Sequence, residues 1–350
     1  ILWFYSSAYL LLHQSGLLEM AEHVYRFLIE HCFDSRYGGV YWSVNSDGSV
    51  ADDSKHTYCQ AFALYALSAY YRACRKTEAL QSAYSLYHII EENCKDGGGY
   101  LEAFHRDFSP ASNEKLSENG VLADRTMNTL LHVMEAYTEL YRADGLKEAG
   151  DSLRYILQLF EQKVYNKEKQ ICDVFFDKEY HSLIEMESYG HDIEASWLID
   201  RCCEVLGDNV YSAKMQPLID GLAAGALVHG MDTAVGALNN ECVNKTIGRQ
   251  KIWWVQAEAV TGFYNAYLRD RSKSEYLEAA ESVWEFIRST VIDKNSGEWF
   301  ESISENKTAA LNQPLVHLWK CPYHNGRMCM EMIQRLSQTT RKGDSYADAR

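Results

Sequence analysis

Tyr189-Gly190-His191-Asp192-Ile193-Glu194-Ala195-Ser196-Trp197 reads as the opening of a helix. Gly190 breaks what precedes it, and a long run with apolar residues at helical spacing follows. On a helix, His191 and Glu194 lie three residues apart and share a face. Trp197 is three further on and drifts only partly around the cylinder. An imidazole, a carboxylate and an indole on one stripe make an unusual core and a reasonable pocket wall.

Outward from this stretch the chain repeats itself. A helix carrying polar residues among its apolar ones is followed by a short break. A more ordinary amphipathic helix comes next, then a loop bearing glycine and aromatic residues. The first unit has helices near Trp3–Gln14 and Leu17–Cys32 and the loop Asp34-Ser-Arg-Tyr-Gly-Gly-Val-Tyr-Trp42. Later first helices start near Tyr58, Thr126, Gly190, Trp253 and Pro322, roughly 63–69 residues apart. Partner helices are expected over 77–93, 146–164, 209–227 and 274–291. Val40–Val44, Ile171–Phe176 and Trp299–Ser302 alternate apolar and polar residues and are read as short β-hairpins in the loops at one end. The fold class is therefore all-α, an (α/α)6 barrel of helical hairpins with first helices inside and second helices outside. One domain covers residues 1–336, and 337–350 form a polar tail expected to be disordered. Six first helices and five second helices make eleven, whereas a closed ring of hairpins has twelve. The expectation is that a helix ahead of Ile1 closed the ring in the parent sequence and that this chain is a fragment.

The chain has 350 residues, a net charge of −15 and only four prolines. The charge argues against nucleic acid or an anionic membrane as partner, because both need a basic patch. No run approaches 18 uninterrupted apolar residues, so no transmembrane helix is expected. The ten cysteines lack metal-type spacing and are read as free thiols in a reducing cytoplasm. A share of 13% aromatic residues suits both core packing and a carbohydrate ligand.

The polar residues of the first helices share a phase. Asn128 and His132 open the third, His191 and Glu194 the fourth, Trp254 and Glu258 the fifth, His324 and Asn325 the sixth; His56 and Tyr58 stand at the same point of the second. In a ring of hairpins these starts lie at one end, so the residues converge on the barrel mouth. A lone histidine at a helix start is more often a cap or solvated, and His13, His23, His88 and His229 are read so. Glu135 and Glu139 are read as a solvated or salt-bridged edge, and Tyr65, Tyr70, Tyr71, Tyr137 and Tyr141 as core. Four starts bearing His or Glu in register are harder to dismiss. Imidazoles can act as acid and base near neutrality, and two on different helices could serve both faces of a carbon alpha to a carbonyl. A carboxylate pair, Glu194 with Glu258, keeps a glycosidase reading open. With no HExxH and its histidines on separate helices, the pattern does not point to a metal.

At these residues the sequence resembles the cellobiose 2-epimerase branch of the N-acylglucosamine 2-epimerase superfamily. The stretches that carry the resemblance are Lys55–Leu67, Asp124–His132, Tyr189–Trp197, Trp253–Glu258 and Trp319–Asn325. It implies an (α/α)6 barrel and a reaction without cofactor or metal. C2 of the reducing-end glucose in a β-1,4-linked disaccharide would be epimerised, cellobiose to glucosyl-mannose and lactose to epilactose, through a cis-enediolate. By resemblance His191 and His324 are the acid/base pair. His132, Glu194 and Glu258 support and polarise the centre, and Trp197, Trp254, Trp319, Asn128 and Tyr58 hold the sugars. A monomer is expected. The family carries an arginine just before the Ile-Leu-Trp-Phe stretch, and the chain starts at that Ile. Weak or absent turnover and an unstable seam are therefore expected. An aldose–ketose isomerase of mannose type and an inactive sugar-binding barrel are the alternatives.

Overall fold

The structure, a computed structural model, describes residues 1–116 and 120–347, with side chains as far as Ser337. Eleven α-helices lie among the described residues. Six form the inner ring: α1 (Leu2–Leu12), α3 (Thr57–Cys74), α5 (Met127–Asp144), α7 (Tyr189–Leu206), α9 (Trp253–Arg269) and α11 (His324–Ala347). The other five pack outside: α2 (Ser15–Phe27), α4 (Thr77–Ile89), α6 (Lys147–Leu159), α8 (Asn209–Gly225) and α10 (Ser274–Phe286). Neighbouring inner helices pack against each other in chain order, and α11 returns to α1 to complete the inner ring. There Trp3 meets Tyr323 at 5.5 Å between ring centroids. The architecture is the (α/α)6 barrel expected from the repeat.

An outer helix has one wet face and follows the amphipathic rule. In α6 the buried residues Ala149, Leu153, Ile156 and Leu157 recur at spacings of three and four. Each such Leu or Ile, removed from water, contributes about 1.5–3 kcal/mol. Inner helices are covered on both sides and obey a different rule. From Met127 to Leu140 in α5 every residue is buried except Asn128. From Tyr189 to Asp200 in α7 the exception is His191, and from Trp253 to Ala266 in α9 it is Trp254. Each exception sits in the first turn, where the ring opens to the mouth.

The mouth is held by pairing between repeats. The two residues ahead of an inner helix form a strand that pairs antiparallel with the next loop: Lys55–His56 with Ala103–Phe104, Arg125–Thr126 with Phe175–Phe176, and Lys251–Ile252 with Ser302–Ile303. The fourth residue of the helix then reaches back to the preceding loop. Gln60 exchanges two hydrogen bonds with the Val40 backbone, at 2.7 and 2.8 Å, and Gln256 does the same with Leu238, at 2.9 and 2.8 Å. In α7 the equivalent Asp192 accepts from the Cys172 amide at 2.8 Å. A buried cation at the foot of α3, α5 and α9 pairs with that loop: Lys55 with Asp34, Arg125 with Asp96 and Lys251 with Asp232.

Two expectations on helix ends are corrected. All five outer helices finish in a five-residue π-helical turn, such as Phe160–Val164 after α6, so the α-helices stop several residues early. Loss of the apolar stripe after Leu336 was read as the end of the last helix. Instead α11 runs to Ala347. Gln338, Arg341 and Lys342 are good helix formers and need no apolar face to continue a helix already started. Residues 348–350 of the expected tail lie outside the described residues.

Candidate active site

The convergence expected at the mouth is present. His191, third residue of α7, has Nδ1 2.8 Å from the Ser188 hydroxyl, and its ring stands 4.7 Å from that of Trp254. The Trp254 ring is also 5.3 Å from that of His324. One indole thus packs near imidazoles from two different inner helices. His324 has Nδ1 2.7 Å from Oε1 of Glu258. Glu258 Oε2 accepts from the Trp197 indole at 2.9 Å. His132 sits across the ring with Nδ1 3.0 Å from Oε2 of Glu135. Its ring is packed edge-on by Tyr58 at 5.4 Å.

Beneath the histidines lies a cation that the sequence reading missed. Arg327, one turn into α11 and 3% exposed, donates to Glu135, Glu194 and Glu258. It also donates to the Tyr323 hydroxyl, which in turn donates to Glu135 at 2.6 Å. Glu135 and Glu139, read as a solvated or salt-bridged edge, are salt-bridged but not solvated: both are buried, Glu135 against Arg327 and Glu139 against Arg72 and Arg142. Both belong to a helix without a wet face. The signal was available. Glu135 follows His132 by three residues, as Glu194 follows His191 and Arg327 follows His324, so each pair shares a helix face.

The five expected catalytic residues are brought together. The expected sugar-holding residues divide. Trp254 is half-buried beside both imidazoles, and Trp319 is 53% exposed at the rim, 6.3 Å from Tyr58 and 6.0 Å from Trp42. Asn128 has a buried Oδ1 without a partner among the described residues. Trp197 is a correction. It is 1% exposed, covered by the carboxylates it serves, with the Arg327 guanidinium 4.9 Å over its ring, so it is a floor and not a sugar platform. His56, placed with the mouth residues, is buried with Nδ1 unpartnered among the described residues and packs on Trp42.

Electrostatics follow from burial. Burial, with the positive charge of His132 and His324 in their protonated forms, pushes His191 down to about 3. Burial also lowers His324, although the hydrogen bond to Glu258 partly opposes it. Both rings are therefore neutral at neutral pH. Burial acts to raise the Glu135 and Glu258 carboxyls, but Arg327 and the histidines beside them outweigh it and hold both below the usual range. Burial and the neighbouring Glu258 charge push Glu194 well up. Glu194, Glu258 and His324 are close enough to hold a metal ion by type. The Arg327 guanidinium already occupies the space between the two carboxylates, and a second cation there would be repelled.

The N-acylglucosamine 2-epimerase family model matches residues 1–324, and the chain belongs to this family. Among its relatives is the cellobiose 2-epimerase of Ruminococcus albus, 48% identical over 96% of this chain and 86% of that protein. The solved structure of a sugar epimerase from a ruminal bacterium superposes with a TM-score of 0.93 at 46% identity, covering 95% of this chain and 85% of the other. That of cellobiose 2-epimerase from Bacillus thermoamylovorans gives 0.91 at 41% identity, covering 95% and 86%.

Proposed function

We propose that this chain is a carbohydrate epimerase that inverts C2 of the reducing-end glucose in β-1,4-linked disaccharides, with cellobiose as substrate. Similarity to cellobiose 2-epimerases over nearly the whole chain supports this. The observation that carries the chemistry is the pair of neutral imidazoles from two different inner helices, His191 on α7 and His324 on α11, both beside Trp254. A neutral imidazole accepts a proton, and the resulting imidazolium returns one.

The reaction needs the ring opened to expose the C1 aldehyde. One imidazole then removes the C2 proton, and the electron pair moves into a cis-enediolate with charge on the C1 oxygen. The other histidine, charged by taking the C1 hydroxyl proton when the ring opens and solvent protonates the ring oxygen, delivers that proton to the opposite face of C2. Ring closure returns the first imidazole's proton to the C1 oxygen and the ring-oxygen proton to solvent. Apart from opening and closing the C1–O5 bond, every step is a proton transfer. His324 is suited to the base role by its bond to Glu258: with Nδ1 held, Nε2 is left for substrate. Trp254 and Trp319 offer flat faces to the sugars. Asn128, whose Oδ1 has no partner among the described residues, is free to meet a sugar hydroxyl. All ten cysteines are free, which suits a reducing cytoplasm.

Incubation with cellobiose in heavy water tests this. Epimerisation yields glucosyl-mannose with deuterium at C2, and His191→Ala abolishes the exchange. A ketose product would make the chain an aldose–ketose isomerase. Binding with neither product nor exchange would make it a sugar-binding barrel.

A further inference from the structure

The buried carboxylates outnumber the cations that meet them. Glu135 on α5, Glu194 on α7 and Glu258 on α9 all reach Arg327, and among the described residues the other charged or titratable groups facing them include His132, His191, His324 and the Tyr323, Tyr65 and Tyr58 phenols. Glu194 and Glu258 place their Oε1 atoms on the same Arg327 nitrogen, Nη2. Like charges this close in a buried site do not both ionise.

The hydrogen bonds say which one keeps the proton. Glu258 is met by two donors of fixed sense, Arg327 and the Trp197 indole at 2.9 Å, and its Oε1 lies 2.7 Å from His324 Nδ1. Glu194 takes a hydrogen bond from Arg327 alone, with His324 Nδ1 farther off at 3.9 Å; its Oε2 is buried and has no hydrogen-bond partner among the described residues. An ionised carboxylate needs several donors when buried, and a carboxylic acid does not. We propose that Glu194 and Glu258 form an unequal pair, with Glu194 protonated and Glu258 ionised, and that Arg327 is the positioning residue that sets the inequality.

The consequence falls on His324. An ionised Glu258 can only accept, so His324 must carry its proton on Nδ1, which leaves Nε2 as the free base. Glu135, held by Arg327, His132 and Tyr323, keeps the guanidinium aligned from the far side. Without Arg327 the lone proton would be free to move between Glu194 and Glu258, and the tautomer of His324 would no longer be fixed. This consequence rests on the epimerase reading above. The protonation of Glu194 does not.

Difference infrared spectroscopy of the wild-type protein against Glu194→Gln, without substrate at neutral pH, reads the proton directly. The expected spectrum contains a protonated-carboxyl stretch, shifted in heavy water, that the variant lacks. A difference spectrum holding only ionised-carboxylate bands overturns the proposal even if the protein epimerises cellobiose. Kinetics read the consequence. Glu258→Gln is expected to lose about a hundredfold more kcat than Glu194→Gln, since glutamine replaces a neutral acid more closely than an anion. Arg327→Met is expected to lower kcat with little change in KM and to move the acid limb of the kcat profile to higher pH, with partial recovery in Arg327→Lys. An unmoved acid limb in folded Arg327→Met, or equal losses in the two glutamine variants, removes the positioning role.

Discussion

Trp197→Phe separates a floor residue from a sugar platform. The substitution keeps a ring under the Arg327 guanidinium but removes the indole N–H that meets Glu258 at 2.9 Å. A hydrogen bond to a charged, buried acceptor contributes about 1.5–3 kcal/mol. The smaller ring adds about 1 kcal/mol for the space left behind. The sum is about 2–4 kcal/mol. Unfolding entropy near 2.1 cal/mol/K per residue gives about 0.7 kcal/mol per degree for 350 residues. The melting temperature should therefore fall by about 3–6 °C. Because Trp197 is 1% exposed, KM for cellobiose should stay within about twofold, and the loss should appear in kcat through Glu258 and His324. Thermal melting monitored by near-UV circular dichroism and steady-state kinetics measure the two effects. An unchanged melting temperature with KM raised about tenfold would refute the reasoning and return Trp197 to the sugar-binding wall.

Trp319→Ala should behave in the opposite way: a rim indole that stacks on sugar contributes about 1–2 kcal/mol, so KM rises roughly tenfold with the melting temperature unchanged; an unaltered KM would take Trp319 out of the binding site. Acid should destabilise the fold through its buried neutral histidines. His191 is lowered to about 3 and His56 to about 4, against an ordinary value of 6.5. The unfolded chain then takes up protons that the folded chain refuses. The stability they provide is complete above about pH 6.5 and declines as pH falls toward 4, by up to about 1.4 kcal/mol per unit for each group. Urea unfolding at pH 7 and pH 5 should show this, and His56→Asn should make the decline shallower; an identical pH slope would mean His56 titrates normally. Gln60→Leu strands the Val40 amide and carbonyl in the interior at about 1–3 kcal/mol each, and hydrogen exchange at Val40 should accelerate; unchanged protection would show that another group holds that loop.

The inner-helix starts were legible within a couple of residues because a repeat announces itself several times over. Each start was read from its own turn chemistry and checked by its neighbours. Outer-helix ends were less legible. A π-helical turn has no composition that marks it: Phe160-Glu-Gln-Lys-Val164 would serve equally well as α-helix. The strand pairs at the mouth were legible as alternation in the loops but not in their partners. Lys55–His56 and Arg125–Thr126 are two-residue strands whose register is set by the next repeat.

Site residues were legible where they broke a pattern and hidden where they matched a commoner one. His191 stood out because imidazole is rare on an apolar stripe. Glu135 and Glu139 did not, because two glutamates four residues apart are what the wet face of an ordinary helix carries. That inference assumes a wet face, and an inner helix of this ring has none. Once α5 is placed inside, the same spacing demands the reverse conclusion: a carboxylate there must meet a cation. Four arginines answer the demand, Arg327 at Glu135 and Glu194, and Arg72 and Arg142 at Glu139, with Arg201 at Glu331 on α11. The barrel axis is therefore a column of paired charges, and its upper end is the place where the pairing is uneven. Three carboxylates share Arg327 there, close to the histidines, so among the described residues positive charge is short beside the groups proposed to move protons.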